Sequence, residues 1–531
     1  MVQSKKMIVR RRYLHLPVKN GAPMRVMRLH LPGAPVRRFD TELATEDPDF
    51  WVFADIGPFA GQSLTVEVEG EDLPPRALDS LVQSDDPPGS DTLYKEEYRP
   101  QFHFSSRRGW NNDPNGLIFY RGEYHLFYQH NPYGHKWGNM HWGHAVSPDL
   151  VHWTEQPVAL YPDDLGTMFS GSGVVDWGDT AGFRSGDEHA LVCIYTAAGE
   201  PFTQCIAYSV DRGVTWHKYP GNPVLGHVAG RNRDPKVIWH EPTRRWVMAL
   251  YLEENDYALF TSPDLKAWSH ACDVVLPGAS ECPDLFELPV DGDPGDTRWV
   301  FWGANGTYLL GTFDGATFLP QGEAQRYDWG GNSYAAQTWS DIPVEDGRRI
   351  QIAWARVDLP GMPFNQFMTF PCELTVRTTP EGLRLFSQPV REIETLRRRT
   401  LSWHGERIEP GRDLSPGTVG ELLDVQVKFS CEGPAAFGLD LGGTQVVYDA
   451  KRAQLTCAGR TAPLRPVDGR VRLRVLVDRA SVELFGSDGQ TALPLGVLFE
   501  GGERPVRAFA EGGSVQLHSL HIHELASIWD R

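Results

Sequence analysis

The chain has 531 residues, of which 41% are hydrophobic and 23% are charged, a balance typical of globular proteins. Its 51 basic and 69 acidic residues give a net charge of −18, which disfavours binding to nucleic acid or to anionic membrane surfaces. No stretch reaches the roughly 18 apolar residues that a membrane-spanning helix needs, so membrane insertion is not expected.

The cysteines and the start of the chain leave the cellular compartment open. Seven widely spaced cysteines without a Cys-x-x-Cys pair indicate buried thiols rather than a zinc site or a disulfide framework. Residues 1–12 are basic but lack the apolar core of a secretory signal. We expect a secreted or periplasmic protein if a leader has been removed and a cytoplasmic one if Met1 is the native start. The oligomeric state is equally open.

The first 97 residues are predicted to form an accessory module. Frequent glycine (53), proline (40) and aromatic residues favour many short strands over long helices, which indicates an all-β protein. Residues 50–53 and 63–68 read as strands, and we expect a β-sandwich-like fold for residues 1–97. This module contains no cluster of carboxylates. Carbohydrate binding and simple packing on the next domain are both open for it.

Residues 98–395 contain a repeated phrase that predicts a β-propeller. A serine, an aspartate and a tryptophan recur in order three times, and residues 313–318 are a degenerate fourth copy. The three full copies are Ser147, Asp149 and Trp153; Ser209, Asp211 and Trp216; and Ser262, Asp264 and Trp268. Each blade of a propeller needs a closing turn and an aromatic residue that packs on its neighbour. We therefore interpret the repeat as structural, although it does not give the number of blades.

Residues 396–531 show the alternation of apolar and polar residues that is typical of strands with one buried face. Examples are residues 423–429, 471–477 and 514–518. The pattern predicts a C-terminal β-sandwich.

One stretch stands out as a candidate site: residues 110–116, which read Trp-Asn-Asn-Asp-Pro-Asn-Gly. Pro114 restricts the backbone of Asp113 to extended conformations, which aims the carboxylate. Asn115 and Gly116 predict a turn, so that Asp113 would lie at the mouth of a hairpin formed by residues 117–120 and 124–128. The same residue types are common in ordinary loops, and a plain loop is an equally compatible interpretation.

Two further carboxylates share this region of the chain with Asp113. Hydrolysis of a glycosidic bond needs one carboxyl group as a proton donor and a second as a nucleophile or base. Asp234 follows Arg233, whose charge is expected to keep the aspartate ionised. Glu281 lies in a largely apolar stretch that favours the protonated form of a general acid. A turn acid, a structural ion pair and a strand-end acid are the alternative interpretations of the three.

Taken in order, these motifs resemble those of glycoside hydrolase family 32, which contains invertases, inulinases and levanases. The matching segments are residues 110–116, Gln129, 137–139, 169–172, 233–235, 281–283, Asp328 and 334–335. The resemblance implies a five-bladed β-propeller followed by a C-terminal β-sandwich, with the N-terminal module as an addition. It also implies that Asp113 is the nucleophile, Glu281 the general acid and base, and Asp234 a stabiliser of the transition state.

The resemblance further implies a pocket for a terminal fructose, with no metal and no cofactor. The residues expected to line it are Asn112, Gln129, Trp137, Phe169, Ser170, Arg233, Tyr334 and Trp354. Four histidines in one segment (His130, His135, His141 and His144) offer a conceivable metal site, but hydrogen bonding to hydroxyls or to the propeller's own loops is favoured.

The sequence therefore predicts a retaining β-fructosidase that releases terminal fructose from levan or inulin and also accepts sucrose. Its expected partner is a fructose-containing oligosaccharide or polysaccharide, and residues 362–371 resemble a segment of fructan-cleaving members. An endo-acting levanase and a fructosyltransferase are alternatives on the same scaffold. A non-catalytic fructan-binding protein is the alternative from another class, and the presence of all three carboxylates disfavours it.

Overall fold

The computed structural model describes residues 1–530, and strands dominate it throughout. Three short 3-10 helices interrupt them, at Gly57–Phe59, Arg391–Leu396 and Ser487–Gly489. Within the described residues, no helix has the length and apolar character needed to cross a membrane. Residues 97 and 395, where the sequence predicts domain boundaries, both lie in connections between sheets.

The N-terminal module consists of two antiparallel sheets that share one apolar core. The side chains of Leu64, Val66 and Val68 alternate into this core, because successive residues of a strand point to opposite faces. In spatial order, the first sheet contains Val2–Ile8, Ser63–Glu69, Arg25–His30 and Arg37–Thr41, and the second contains Phe50–Asp55, Tyr13–Val18 and Val82–Ser84. The module is therefore sandwich-like, as predicted.

The middle of the chain forms five blades of antiparallel strands. Blade 1 contains Gly109–Tyr120, Glu123–Asn131, His141–Ser147 and Thr154–Glu155; blade 2 contains Thr167–Asp176, Ala190–Ala198, Thr203–Ser209 and His217–Lys218. Blade 3 contains Arg233–His240, Arg245–Glu253, Asp256–Ser262 and Ser269–Val275; blade 4 contains Asp284–Val290, Asp293–Trp302, Thr307–Phe313, Phe318–Pro320 and Gln325–Arg326. Blade 5 contains Ser333–Thr338, Arg349–Ala355, Phe367–Met368, Cys372–Thr379 and Gly382–Pro389.

The first strand of each blade lies innermost, and each contacts the first strand of the next blade around a closed ring. Closure is completed by the short strand Phe364–Asn365, which pairs in parallel with the start of blade 1. Ser340, which follows the first strand of blade 5, also bridges Ile118 of blade 1. The fold is thus a five-bladed propeller whose last blade is tied to its first.

The repeated Ser, Asp and Trp phrase is confirmed as structural. In each copy the serine ends the third strand of a blade, and its hydroxyl donates to the following aspartate, as between Ser209 and Asp211 at 2.7 Å. The aspartate then accepts backbone N–H groups of the turn that leads to the fourth strand. In the degenerate copy, Asp314 accepts the N–H groups of Ala316 and Thr317 in the same way.

Buried polar side chains cross the propeller axis and connect the innermost strands. Lys236 of blade 3 pairs with Asp284 of blade 4 at 3.2 Å and donates to the carbonyl oxygen of Thr338 in blade 5 at 2.8 Å. Asp284 in turn accepts the N–H of Thr338 at 2.6 Å. Asn115 of blade 1 accepts the N–H of Gly171 in blade 2. These charge-assisted bonds fix the spacing of the strands where apolar packing alone would allow sliding.

The C-terminal part is a sandwich of two six-stranded sheets around one core. In spatial order, the first sheet contains Arg397–Ile408, Val515–Leu525, Leu423–Cys431, Val471–Val477, Ser481–Gly486 and Thr491–Gly496. The second contains Leu414–Val419, Arg504–Glu511, Ala436–Leu441, Thr444–Asp449, Gln454–Cys457 and Arg460–Pro463. This confirms the predicted β-sandwich.

A buried charged cluster joins the propeller to this sandwich. His103 contacts Asp478 at 2.8 Å and Glu483 at 3.5 Å, and all three side chains are almost completely buried. Asp478 also accepts the N–H groups of Gln101 and Phe102. Burial alone lowers the pKa of His103, but its two carboxylate partners raise it to about 9. The histidine is therefore positively charged at neutral pH.

We predict that His103→Gln lowers the free energy of unfolding by about 3–5 kcal/mol at neutral pH, because it leaves two buried carboxylates without their cation. Since the folded-state pKa of His103 is raised from 6.5 to about 9, its stabilising contribution is full below pH 6.5 and is lost as the pH rises through 9. Calorimetry of both proteins from pH 6 to about pH 9.5 measures this. An unchanged stability, or the same loss with pH in the variant, would contradict the assignment.

Candidate active site

The candidate residues meet where the innermost strands begin, and a break in strand pairing places them there. The pairing shifts between Asn111 and Pro114 in blade 1, between Met168 and Gly171 in blade 2, and between Arg233 and Lys236 in blade 3. The residues left out of the ladder are Asn112, Asp113, Phe169, Ser170, Asp234 and Pro235. Because a bulge turns side chains out of the strand's alternation, it aims these groups at a common space.

The expected turn at Asn115 and Gly116 is wrong. Residues Gly109–Tyr120 form one continuous strand, with a second pairing shift between Asn115 and Ile118. The bulges accommodate Pro114, which has no N–H to donate to the ladder, and Gly116, whose φ is +53°. Asp113 is therefore rigidly placed within a central strand rather than at the mouth of a hairpin.

The Asp113 carboxylate is held by hydrogen bonds to both of its oxygens. Ser170 of blade 2 donates to Oδ2 at 2.6 Å, and Asn112 donates to Oδ1 at 3.0 Å. Asn112 is itself oriented by the indole N–H of Trp110 at 2.8 Å. Burial raises the pKa of Asp113, while the bonds from Ser170 and Asn112 oppose that rise. The arrangement keeps the carboxylate fixed and accessible on one side.

Asp234 is the most deeply buried of the three carboxyl groups. Its backbone lies in the left-handed region, at φ +64°, and its N–H donates to the hydroxyl of Thr196 at 3.0 Å. The guanidinium of Arg233 lies 3.7 Å from the Asp234 carboxylate, as expected, but it does not hold the pKa of that group at its usual value. Burial raises the pKa of Asp234 to about 7, since the nearby guanidinium only partly offsets the burial and the charges of Glu281 and Asp113.

Glu281 precedes the first strand of blade 4 and is also held in a left-handed conformation, at φ +59°. Its carboxylate pairs with the guanidinium of Arg233 and accepts a hydrogen bond from the hydroxyl of Tyr334 at 2.6 Å. The apolar setting expected for Glu281 is wrong, because its side chain is 31% exposed and its partners are polar. Left-handed backbone at two such residues is strained, and such strain concentrates at functional sites.

Cys282 links two of the carboxyl groups. The sequence places it among the buried thiols and within the matching segment 281–283, but assigns it no role in the site. Its N–H donates to Asp234 Oδ2 at 3.1 Å, and its Sγ contacts Asp234 Oδ2 at 3.4 Å and Asp113 Oδ2 at 3.6 Å. Burial raises the pKa of the Cys282 thiol well above its usual value, so that it stays a neutral donor. Two carboxylates from different blades therefore share one small donor.

Two aromatic pairs lie beside the residues that bond the carboxyl groups. Trp137, which is 58% exposed, lies edge-to-face with Phe169 at a ring distance of 6.0 Å. On another side, Tyr334 and Trp354 lie edge-to-face at 6.2 Å. Gln129 is buried, and its side-chain nitrogen has no hydrogen-bond partner within residues 1–530. Of the predicted pocket residues, Asn112 and Ser170 bond Asp113, and Arg233 and Tyr334 contact Glu281. The two aromatic pairs form walls beside these residues.

Two residues that the sequence did not single out support these walls. Arg356 lies over the ring of Tyr334 at 4.6 Å and donates to the carbonyl oxygen of Gly331 at 2.9 Å. Gln366 accepts the indole N–H of Trp354 at 3.1 Å and is anchored by Asp358 at 2.8 Å. Arg356 lies outside the matching segments, whereas Gln366 lies within residues 362–371, the segment that resembles one of fructan-cleaving members. Both reach the site through packing. Asp328, which the resemblance includes, accepts the N–H groups of Gly330 and Gly331 and stabilises their loop.

The four clustered histidines form hydrogen bonds within the propeller. His130 contacts the carbonyl oxygen of Trp110 at 2.7 Å, His135 that of Met362 at 3.3 Å and His141 that of Asn139. His144 contacts the ring of His125 at 3.0 Å. In the described part of the chain, no group of three or more His, Cys, Asp or Glu side chains has the arrangement of a metal site.

Comparison with known protein families gives two matches. The profile described as the N-terminal domain of glycosyl hydrolases family 32 matches residues 103–389, and the C-terminal profile of the same family matches residues 392–524. Residues 1–102 lie outside both matches.

Individual relatives are similar over the same share of the chain. A levanase of Bacillus subtilis (strain 168) is 41% identical over 487 residues, covering 82% of this chain and 72% of the relative. An extracellular exo-inulinase of Aspergillus niger is 32% identical over 524 residues, covering 82% and 96%. The solved structure of an exo-inulinase from Aspergillus awamori superposes with a TM-score of 0.74 at 30% identity, covering 82% and 100%. A β-fructofuranosidase from Schwanniomyces occidentalis, complexed with fructosyl-erythritol, gives a TM-score of 0.75 at 27% identity, covering 82% and 99%.

Proposed function

The chain belongs to glycosyl hydrolase family 32, and from that premise we propose that it is a retaining β-fructosidase. Its proposed reaction is release of terminal fructose from a fructan, levan or inulin, with sucrose as a further substrate. The named relatives that support this proposal include a levanase and exo-inulinases.

One observation carries the proposal: carboxyl groups from two different blades meet at a single buried thiol, and a third carboxyl group belongs to the residue just before that thiol. Asp113 and Asp234 both contact Cys282, and Glu281 is the residue before it in the chain. Cleavage of a glycosidic bond with retention needs a nucleophilic carboxylate and a separate proton donor on the two sides of the bond. The cluster supplies both, together with a third carboxyl group.

In the proposed first step, Asp113 attacks the anomeric carbon of the terminal fructose while Glu281 donates a proton to the departing oxygen. Asp113 suits the nucleophile's role because Ser170 and Asn112 donate to its oxygens and stabilise the ionised form. Glu281 suits the acid's role because it is the more exposed group, within reach of a leaving group that points out of the site. The products of this step are a fructosyl ester on Asp113 and the rest of the substrate, which leaves with a free hydroxyl group.

In the proposed second step, Glu281 removes a proton from a water molecule that attacks the ester, and Asp113 leaves as a carboxylate. The same residue serves as acid and then as base. Arg233 and Tyr334 hold the Glu281 carboxylate between the two steps.

Asp234 is assigned to the binding of fructose hydroxyls. It is buried beside Asp113 and fixed by the Cys282 N–H. A carboxylate that accepts hydrogen bonds from sugar hydroxyls stabilises the partial positive charge that develops on the ring in the transition state. The walls formed by Trp137, Phe169 and Trp354 would contact the apolar faces of the sugar.

Product analysis tests the proposal directly. The wild-type enzyme is incubated with levan, inulin and sucrose, and the products are separated at early times. Fructose as the first product supports exo-hydrolysis. Short oligomers would indicate an endo-levanase, and longer chains or cyclic dimers a fructosyltransferase. Binding of fructan without any product would indicate the non-catalytic alternative.

We predict that Asp113→Ala lowers kcat by roughly 10⁴-fold or more, because it removes the nucleophile. Glu281→Gln should lower kcat by roughly 10²–10⁴-fold, because it removes the proton donor. Asp293→Ala is a matched control, since Asp293 also precedes a proline but lies exposed on a hairpin of blade 4. Near-normal turnover by Asp113→Ala at an unchanged melting temperature would contradict the mechanism.

A second prediction concerns the pH dependence. The Ser170 hydroxyl lowers the pKa of Asp113, so Ser170→Ala should raise that pKa and require a higher pH to ionise the nucleophile. The acid limb of the kcat/KM profile should move upward by about one to two pH units, given roughly 1.5–3 kcal/mol for a hydrogen bond to a charged group. Ser172→Ala, which removes a serine bonded to Pro235 instead, serves as a control. A lower rate with an unshifted acid limb would contradict an effect of Ser170 on the pKa of Asp113.

A further inference from the structure

The loop that carries Trp137 is held by the N-terminal module. Residues 132–140 connect the second and third strands of blade 1, and Trp137 lies on this loop beside Phe169. Phe169 is adjacent to Ser170, which donates to Asp113, so the loop reaches the wall of the candidate pocket. The position of Trp137 therefore depends on what fixes this loop.

The first contact is apolar and deeply buried. Tyr133, which belongs to the propeller loop, is 2% exposed and forms part of the apolar core of the N-terminal module. The ring of Phe39 stacks on it with a centroid distance of 3.6 Å and an interplanar angle of 16°. The module's core is thus completed by a side chain from the propeller, which makes the two parts one packing unit.

The second contact is a set of hydrogen bonds to the edge strand Arg37–Thr41. Asn139 accepts the N–H of Asp40 at 2.8 Å and donates to the carbonyl oxygen of Asp40 at 2.6 Å. The buried hydroxyl of Thr41 donates to the carbonyl oxygen of Tyr133 at 2.8 Å. These bonds fix the loop two residues after Trp137 and four residues before it.

Two more contacts fix the residues immediately before Trp137. The ring of Phe50 stacks on His135 at 4.7 Å, and Glu42 pairs with Lys136 at 2.8 Å. Within the propeller itself, Asn131 also braces the loop, through bonds to Tyr133, Lys136 and Asn139. The loop is therefore fixed from two sides, and one of them belongs to a module outside both family matches.

We propose that Phe39, Thr41, Glu42 and Phe50 of the N-terminal module are positioning residues for Trp137, and that the module sets the shape of the fructose-binding wall. This inference rests on the proposed function, since it assigns Trp137 to substrate contact. It makes the module a part of the active site rather than an independent carbohydrate-binding unit or a passive attachment. Its effect is on substrate binding, because none of the four contacts the carboxyl groups.

A double-mutant cycle tests the proposal. Phe50→Leu removes the ring stacked on His135 while keeping an apolar side chain, and Thr41→Val removes the hydroxyl bonded to Tyr133. Each should raise KM for levan by about threefold to tenfold with kcat nearly unchanged, since an aromatic pair or a hydrogen bond contributes roughly 0.5–1.5 kcal/mol. In a Trp137→Ala background, the same changes should alter KM by less than about twofold, because the residue they position is absent.

Glu69→Gln is the matched control. It breaks an ion pair with Arg28 within the same sheet, two strands away from the edge that contacts the loop, and should leave KM unchanged. An unaltered KM in both Phe50→Leu and Thr41→Val would overturn the proposal. Equal effects with and without Trp137 would also overturn it, because the module would then act through another part of the protein.

Hydrogen exchange separates this inference from the proposed function. If the wild-type enzyme releases no fructose from any fructan, the proposed function is wrong. The double-mutant cycle then cannot be measured, because it depends on KM for levan. Amide exchange in residues 132–140 is then measured instead. Faster exchange in Phe50→Leu and Thr41→Val than in wild type and Glu69→Gln supports control of the loop by the module, and equal exchange in all four proteins overturns it.

Discussion

The spacing of the five innermost strands is set by polar groups that cross the propeller axis, and the candidate site depends on that spacing. The ion pair of Lys236 and Asp284, with Thr338 as a shared partner, joins three blades in a volume that excludes water. A buried pair of this kind stabilises little by itself, but it disfavours any arrangement that leaves a charge unpartnered. The starts of the innermost strands are thereby held in register. The bulges at these starts turn the side chains of the candidate catalytic residues toward the site.

Holding three carboxyl groups together raises the free energy of the folded protein, and the local hydrogen bonds reduce that cost. The pKa values of Asp113 and Asp234 are both raised, chiefly because both groups are buried, and the neighbouring carboxylates add to the shift. Ser170, Asn112, the Cys282 N–H and Arg233 each stabilise a negative charge there. An environment tuned between these opposing effects is typical of sites in which one carboxyl group must be ionised and another must carry a proton.

Much of the fold was predictable from sequence, since alternation, turn residues and the Ser, Asp and Trp repeat are local signals. The errors arose where a distant contact outweighs a local one. Asn115 and Gly116 read as a turn, but pairing of the surrounding residues with the strand Glu123–Asn131, and the bond from the Gly171 N–H to Asn115, keep them in a bulged strand. Arg233 precedes Asp234, yet its charge is outweighed by burial and by residues from two other blades. Arg356 and the module's contacts with the Trp137 loop carry no short-range signal, and the motif around Cys282 does not show its contacts with two carboxyl groups. Each of these residues acts through side chains brought together only by folding.

In the proposed mechanism, Asp113 forms a covalent bond to the sugar while Glu281 donates and later removes the proton. Mass spectrometry of the Glu281→Gln variant mixed with β-fructosyl fluoride tests it most directly, because fluoride leaves without a proton donor and the missing base slows hydrolysis of the ester. The acid-quenched enzyme should carry one fructosyl group, located on Asp113 in the digested peptides. Substrate consumption without an adduct, or an adduct on Asp234 instead, would contradict it.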